Sequence, residues 1–268
     1  MRISIVCLLA VLLTAGCGAK NKPENDAPDM TEEQLAMEQR RAEIIQRLTR
    51  HYFERVAAFR AINKKLDPDT RYIVFVGDSL TEGFDLDDFF PQIPTLNRGI
   101  TADGIYNSPG MPETTGLLNR MPASIFDTQP RAIFLLIGSN HMPKEYERIP
   151  SLLISYLKVY EQTRERLPEV PFIVQTIPPA GNKRADHILF NERVREYNDR
   201  LKEFADERDL PLIDVYNLVA DEQGLLREEL TRDGLHFTQE AYALWSDAIS
   251  DKIAELNLAE PTKAKTND

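Results

Sequence analysis

The sequence predicts an α/β domain of three layers, with helices covering both faces of a five-stranded parallel sheet. Short runs that are apolar on both faces read as buried parallel strands, and amphipathic segments of helix length lie between them. Size is the third observation, since a chain of 268 residues can bury one large core without splitting. Hydrophobic residues make up 42% and charged residues 28%, which excludes wholesale disorder and a multi-span membrane protein.

The elements follow in order. Met1-Arg2 and the apolar run Ile3 to Ala15 have the layout of a secretory signal, too short for the roughly 20 apolar residues of a membrane span. Its end, Leu13-Thr14-Ala15-Gly16-Cys17, resembles the lipobox of bacterial lipoproteins, with Thr14 departing from the usual branched aliphatic residue. That resemblance implies a leader over 1–16 and lipidation at Cys17; a plain secretory signal is the alternative. Residues 17–30, rich in Lys, Asn, Pro, Glu and Asp, read as a tether.

Thr31 and Gln34 form a capping-box pattern, and Ile45, Leu48, Tyr52, Val56 and Phe59 recur at helical spacing. This predicts an amphipathic helix over 31–66, with a break inside it allowed, ended by Asp67-Pro68-Asp69. The domain proper then spans 67–260. Strands are predicted at Tyr72–Val76, Thr95–Asn97, Ala132–Ile137, Phe172–Ile177 and Leu212–Val215. Helices are predicted over Leu117–Phe126, Leu152–Leu167, Phe190–Arg208 and Thr238–Leu256, the last with Tyr242, Trp245, Ile249 and Ile253 inward. Residues 261–268 form a polar tail.

In an open parallel sheet the reactive groups belong just after the carboxyl ends of the strands. The first strand delivers Gly77-Asp78-Ser79-Leu80. A serine at a strand-to-helix turn presents its hydroxyl at the sheet edge and its N–H near a helix N-terminus, although Ser79 alone also fits a helix N-cap. Thr81 replaces the second glycine of a Gly-x-Ser-x-Gly elbow. Near the other end, Asp233-Gly234-Leu235-His236 places a carboxylate three residues before an imidazole. That carboxylate can hold Nδ1 and leave Nε2 to take a proton from a serine. His51 and His187 read as residues of the first helix and of a loop or helix start.

Together these motifs resemble the SGNH hydrolases, the GDSL family of esterases and lipases, over nearly all of Tyr72 to Leu256. Gly77-Asp78-Ser79-Leu80 is similar to the nucleophile block, Asn97 to Asp103 to the block with a backbone oxyanion donor, Gly138-Ser139-Asn140-His141 to the asparagine block, and Asp233 with His236 to the block that completes a triad. The resemblance implies a flavodoxin-like sheet, Ser79 as nucleophile, His236 as general base and Asp233 as its orienter. It also implies an oxyanion hole from the N–H groups of Ser79 and Ala102 and the Asn140 amide. Members usually carry glycine at Ala102, so that donor needs a φ that tolerates a Cβ, with Gly99 and Gly104 as alternatives. They usually carry aspartate at His141, so the pocket beside Asn140 is expected to gain an imidazole, unless His141 is a supporting or exposed loop residue.

The expected activity is hydrolysis of acetyl or other short acyl esters, on glycan or cell-envelope substrates or small molecules, by a lipid-anchored protein outside the cytoplasm. Acyl transfer by the same triad, or a tethered scaffold that has lost catalysis, are the alternatives. No metal or organic cofactor is implied. The net charge of −11 argues against nucleic acid. The two cysteines, Cys7 and Cys17, both precede the domain and offer it neither disulfide nor metal site.

Overall fold

A computed structural model describes residues 31–108, 110–143 and 149–259. The expected leader, the lipidation expected at Cys17, and the expected tether and polar tail fall outside the described residues. The chain divides into a unit ending at Arg40 and a larger unit from Arg41 onward. In the first, the Gln34 side chain accepts the Thr31 N–H at 2.9 Å while Thr31 Oγ1 accepts the Gln34 N–H at 3.2 Å, the reciprocal capping box its sequence predicts.

The larger unit is built on five parallel strands: β1 (Tyr72–Gly77), β2 (Thr95–Gly99), β3 (Pro130–Leu136), β4 (Phe172–Gln175) and β5 (Leu212–Ile213), in the order β2-β1-β3-β4-β5. Every residue of β3 and β4 is buried, so both faces of the sheet are covered. The helices are α1 (Glu32–Asn63), α2 (Ser79–Glu82), α3 (Leu86–Phe89), α4 (Leu117–Ser124), α5 (Ile149–Arg166), α6 (His187–Asp206), α7 (Val215–Val219) and α8 (Gln239–Glu255). Right-handed crossovers put α4, α5 and α6 on one face. On the other, Phe84 between α2 and α3 stacks on Trp245 of α8 at 4.8 Å. Trp245, Ile249 and Ile253 are buried as the sequence predicts, and the Trp245 indole donates to Gln175 Oε1 on β4 at 2.7 Å.

Several boundaries differ from expectation. Helix α1 runs unbroken and stops at Asn63, before the predicted breaker. Strand β5 is two residues long because the side chain of Asp214 accepts the Asn217 N–H and caps α7. Strand β4 ends at Gln175: the Thr176 N–H still bonds the Ile213 carbonyl at 3.1 Å, and beyond it the Asn198 amide takes both the N–H and the carbonyl of Ile177. The short helices α3 and α7 carry too few residues to show periodicity, and the sequence did not reveal them; α2 begins at Ser79, where a strand-to-helix turn is expected.

The order of strands reverses at β1, with β2 on one side and β3 on the other. In such a sheet the loops leaving β1 and β3 part at their carboxyl ends and open a crevice there.

Candidate active site

The loops after β1, β2 and β3 and the turn before α8 converge at that crevice. Ser79 is the first residue of α2. Asp78, and not Ser79, is the N-cap, its carboxylate accepting the Leu80 N–H at 3.1 Å. The serine hydroxyl is therefore not consumed in capping, and it lies 3.1 Å from His236 Nε2. On the far side of the ring, Nδ1 donates to Asp233 Oδ2 at 2.7 Å. A carboxylate acceptor at Nδ1 fixes the proton there and leaves Nε2 with the lone pair that faces Ser79. Asp233 Oδ1 also accepts the N–H groups of His236 and Leu235, at 2.8 and 3.0 Å. Partial burial pushes the Asp233 carboxyl up, but the His236 ring and these N–H donors outweigh it and hold the carboxyl down at about 2.

The turn carrying Asp233 and His236 is braced from behind. Thr231 Oγ1 donates to the His236 carbonyl and accepts the Gly234 N–H, each at 2.9 Å, and Gly181 donates its N–H to the Gly234 carbonyl at 2.8 Å. Gly181 belongs to an irregular loop after β4. Two buried amides of α6 replace the missing ladder there: Asn198 brackets Ile177, and Asn191 takes the N–H and carbonyl of Ala180 at 2.6 and 2.9 Å. Sequence reasoning missed both. The signal was present, because asparagines seven apart sit among Phe190, Val194, Tyr197 and Leu201 on the buried face of α6, where a polar residue needs a reason.

Ala102 has φ +61°, the left-handed region. The condition set by the missing glycine is therefore met at a cost of about 1–2 kcal/mol for the Cβ. Neither the Ala102 N–H nor the Ser79 N–H has a protein acceptor among the described residues, so both stay available to a ligand oxygen. The Ala102 carbonyl is fixed by the Ser108 hydroxyl at 2.7 Å. Asn140 donates one amide proton to the Asp103 carbonyl at 2.9 Å, and its second proton remains for another acceptor.

His141 corrects the expectation of an imidazole in the pocket and of an exposed loop residue. It is 0% exposed, packs against Tyr106 at 4.4 Å, and accepts the Ile105 N–H through Nε2 at 3.1 Å. It supports the loop after β2 from below. A Cβ at Gly104 would collide with this ring, so only glycine lets the loop close onto it.

Beneath the loop lies a buried ion pair. Arg120, 1% exposed, donates to Asp103 Oδ2 at 2.7 Å, to the carbonyls of Gly77 and Arg98, and to Ser124 Oγ. One guanidinium thus joins the ends of β1 and β2 to Asp103. Burial raises the Asp103 carboxyl to about 6 against the pull of Arg120. Burial raises Asp78 to about 7, with the Leu80 N–H opposing and the nearby Asp103 charge adding to the rise.

The structure thus brings Ser79, Asp233, His236, Ala102 and Asn140 to one sheet edge. Among the described residues, no group of three or more His, Cys, Asp or Glu is placed to hold a metal ion. Nor is any helix long and apolar enough to cross a membrane.

Comparison with known proteins gives a family and a fold. Residues 75–244 match the model of the GDSL-like lipase/acylhydrolase family. No curated protein matches the chain. Among solved structures, the chain is similar to one from Streptococcus pneumoniae named for platelet activating factor, with 24% identity, TM-score 0.69, and coverage of 81% of this chain and 99% of that one. It is also similar to a GDSL-like lipase from Bacteroides thetaiotaomicron, with 20% identity, TM-score 0.65, and coverage of 75% and 98%. A third is Est24, a carbohydrate acetylesterase from Sinorhizobium meliloti, with 16% identity, TM-score 0.57, and coverage of 69% and 99%. At these identities the likeness is one of fold.

Proposed function

Because the chain belongs to the GDSL-like lipase/acylhydrolase family and is accordingly a carboxylic ester hydrolase, we propose that it works through Ser79, His236 and Asp233 on short acyl esters. The observation that carries this is the unbroken relay from Asp233 Oδ2 through His236 to Ser79 Oγ, at 2.7 and 3.1 Å. His236 Nε2 takes the hydroxyl proton as Ser79 Oγ bonds to the ester carbonyl carbon. The carbonyl oxygen becomes an oxyanion, met by the N–H groups of Ser79 and Ala102 and by the Asn140 amide. His236 then returns the proton to the departing alcohol, leaving an acyl-enzyme. A water, deprotonated by His236, attacks that acyl-enzyme and releases the acid.

The proposed substrates are acetyl or other short acyl esters on glycans or cell-envelope polymers. Carbohydrate acetylesterase is the activity named for Est24, and an acetyl xylan esterase shares the fold at TM-score 0.54. Lipidation of Cys17 would hold the domain at a bacterial membrane outside the cytoplasm. The scaffold alternative draws on the departures at Ala102 and His141 and on the charged outer face of the long first helix. The free N–H at Ala102 and the supporting place of His141 weigh against it. The test is hydrolysis of one chromogenic alcohol esterified with acyl chains of increasing length, with Ser79→Ala as control. A kcat/KM highest for acetyl supports the reading, and one that climbs with chain length contradicts it.

A further inference from the structure

Glu82 lies on α2, three residues after Ser79, and its carboxylate faces two ways. Oε2 accepts the Thr101 N–H and, at 2.7 Å, the Thr101 hydroxyl. Oε1 accepts His51 Nε2–H at 2.9 Å and pairs with Arg55 Nε at 3.2 Å, both from α1. Arg55 also donates to the Gly99 carbonyl at 3.1 Å. Thr101 directly precedes Ala102. Around this polar knot α1 makes an apolar seal: Tyr52, Val56 and Phe59 pack with Ile100 and Met111, and the Tyr52 hydroxyl donates to the Gly116 carbonyl at 3.0 Å. The glycine at 99 lets α2 sit against the loop, since a Cβ there would overlap the Glu82 backbone.

We propose that Glu82 is a positioning residue for acyl transfer: by joining His51 and Arg55 of α1 to Thr101, it fixes the left-handed turn at Ala102 and so the direction of the Ala102 N–H. The proposal rests on the esterase reading above. A glutamate on an exposed helix turn would need no partners. This one is half-buried, accepts from three donors and lies beside the Arg55 charge, an arrangement that costs desolvation and is sustained only by close pairing. Burial pushes its carboxyl up, but the Thr101 hydroxyl, His51, the Thr101 N–H and Arg55 prevail and hold it below its ordinary value, so it is charged at neutral pH. Helix α1 precedes the residues matched by the family, 75–244, yet through Glu82 it bears on the oxyanion donor.

The experiment uses the full chain, with kcat and KM on a chromogenic acetyl ester expressed per serine labelled to completion by a fluorophosphonate probe, so that misfolded protein drops out. Glu82→Leu is expected to lower kcat per labelled site by about tenfold or more with KM changed less than about twofold, because a misdirected donor weakens the transition state alone. Glu82→Gln, whose one oxygen still accepts from Thr101 but whose NH2 cannot accept from Arg55, is expected to give a kcat between wild type and Glu82→Leu. Thr101→Val should lower kcat in the wild type and add nothing to Glu82→Leu. Unchanged kcat per site in Glu82→Leu overturns the proposal, as does a Thr101→Val loss that is undiminished in the double variant. Should Glu82→Leu not fold, His51→Ala combined with Arg55→Met decides: a loss of kcat per site supports the proposal and a wild-type value overturns it. A wild type that neither hydrolyses esters nor takes the probe overturns the esterase reading and this proposal together. An active wild type with indifferent Glu82 variants overturns this proposal alone.

Discussion

Asn140 donates its side-chain amide to the carbonyl of Asp103 across 2.9 Å, so the loop leaving β3 grips the loop leaving β2 one residue beyond Ala102. The same side chain is proposed to donate its other proton to the oxyanion, and it therefore supplies one donor and aims another. Asn140→Ala is expected to lower kcat by about 100-fold or more, near 3 kcal/mol, with KM little changed. Steady-state kinetics on an acetyl ester checks it, and a loss expressed only in KM would count against the assignment.

Ala102 carries the strain of a Cβ at φ +61°. Ala102→Gly removes that strain and gives back part of the gain as unfolded-chain entropy, for a net stabilisation of about 0.5–1 kcal/mol. The shift is read as a higher urea midpoint at unchanged slope. Activity should persist, because the backbone N–H is retained.

Arg120 and Asp103 form a pair with side chains 0% and 1% exposed. Arg120→Met leaves the Asp103 carboxylate buried without its cation and the Gly77 and Arg98 carbonyls without a donor. Loss of one partner of such a pair costs about 3–5 kcal/mol, measurable by chemical denaturation. A cost within 1 kcal/mol would mean that the pair does little to hold these strand ends together.

Asp78 gives the fold a pH dependence of definite sign. Its carboxyl rises from 3.8 unfolded to about 7 folded, so between these values the native state binds the extra proton and this group's contribution to stability falls as pH rises. Asn keeps the cap acceptor without titrating. Asp78→Asn should therefore gain stability relative to wild type from pH 4 to pH 7, the window set by that rise, as followed by denaturant midpoints. Asp233 acts in the opposite sense: with its carboxyl held at about 2, its contribution is present above 3.8 and lost as pH falls through 2.

Much of this was legible in the sequence, and the reason differs by residue. Ser79 and His236 were readable because each sits in a local motif beside a strand or helix whose pattern is strong. Trp245 and Ile249 were readable from periodicity alone. Glu82 was not, since its partners Thr101 and His51 are 19 and 31 residues away and only tertiary packing joins them. For His141 the sequence leaves a pocket, a supporting and an exposed place open, because a histidine next to a site residue gives no clue to which side of the loop its ring takes; the structure selects the supporting one. Strand β5 was overextended because Asp214, apolar-flanked in sequence, serves α7 as a cap.

Ser79 is proposed as the nucleophile, activated by His236 and Asp233. Labelling of the full chain by a fluorophosphonate, followed by mass spectrometry of the modified peptide, decides this. One adduct per chain is expected, on Ser79, absent in Ser79→Ala and formed far more slowly in His236→Ala. Wild-type protein that takes no label, or a Ser79→Ala variant labelled equally, would contradict it.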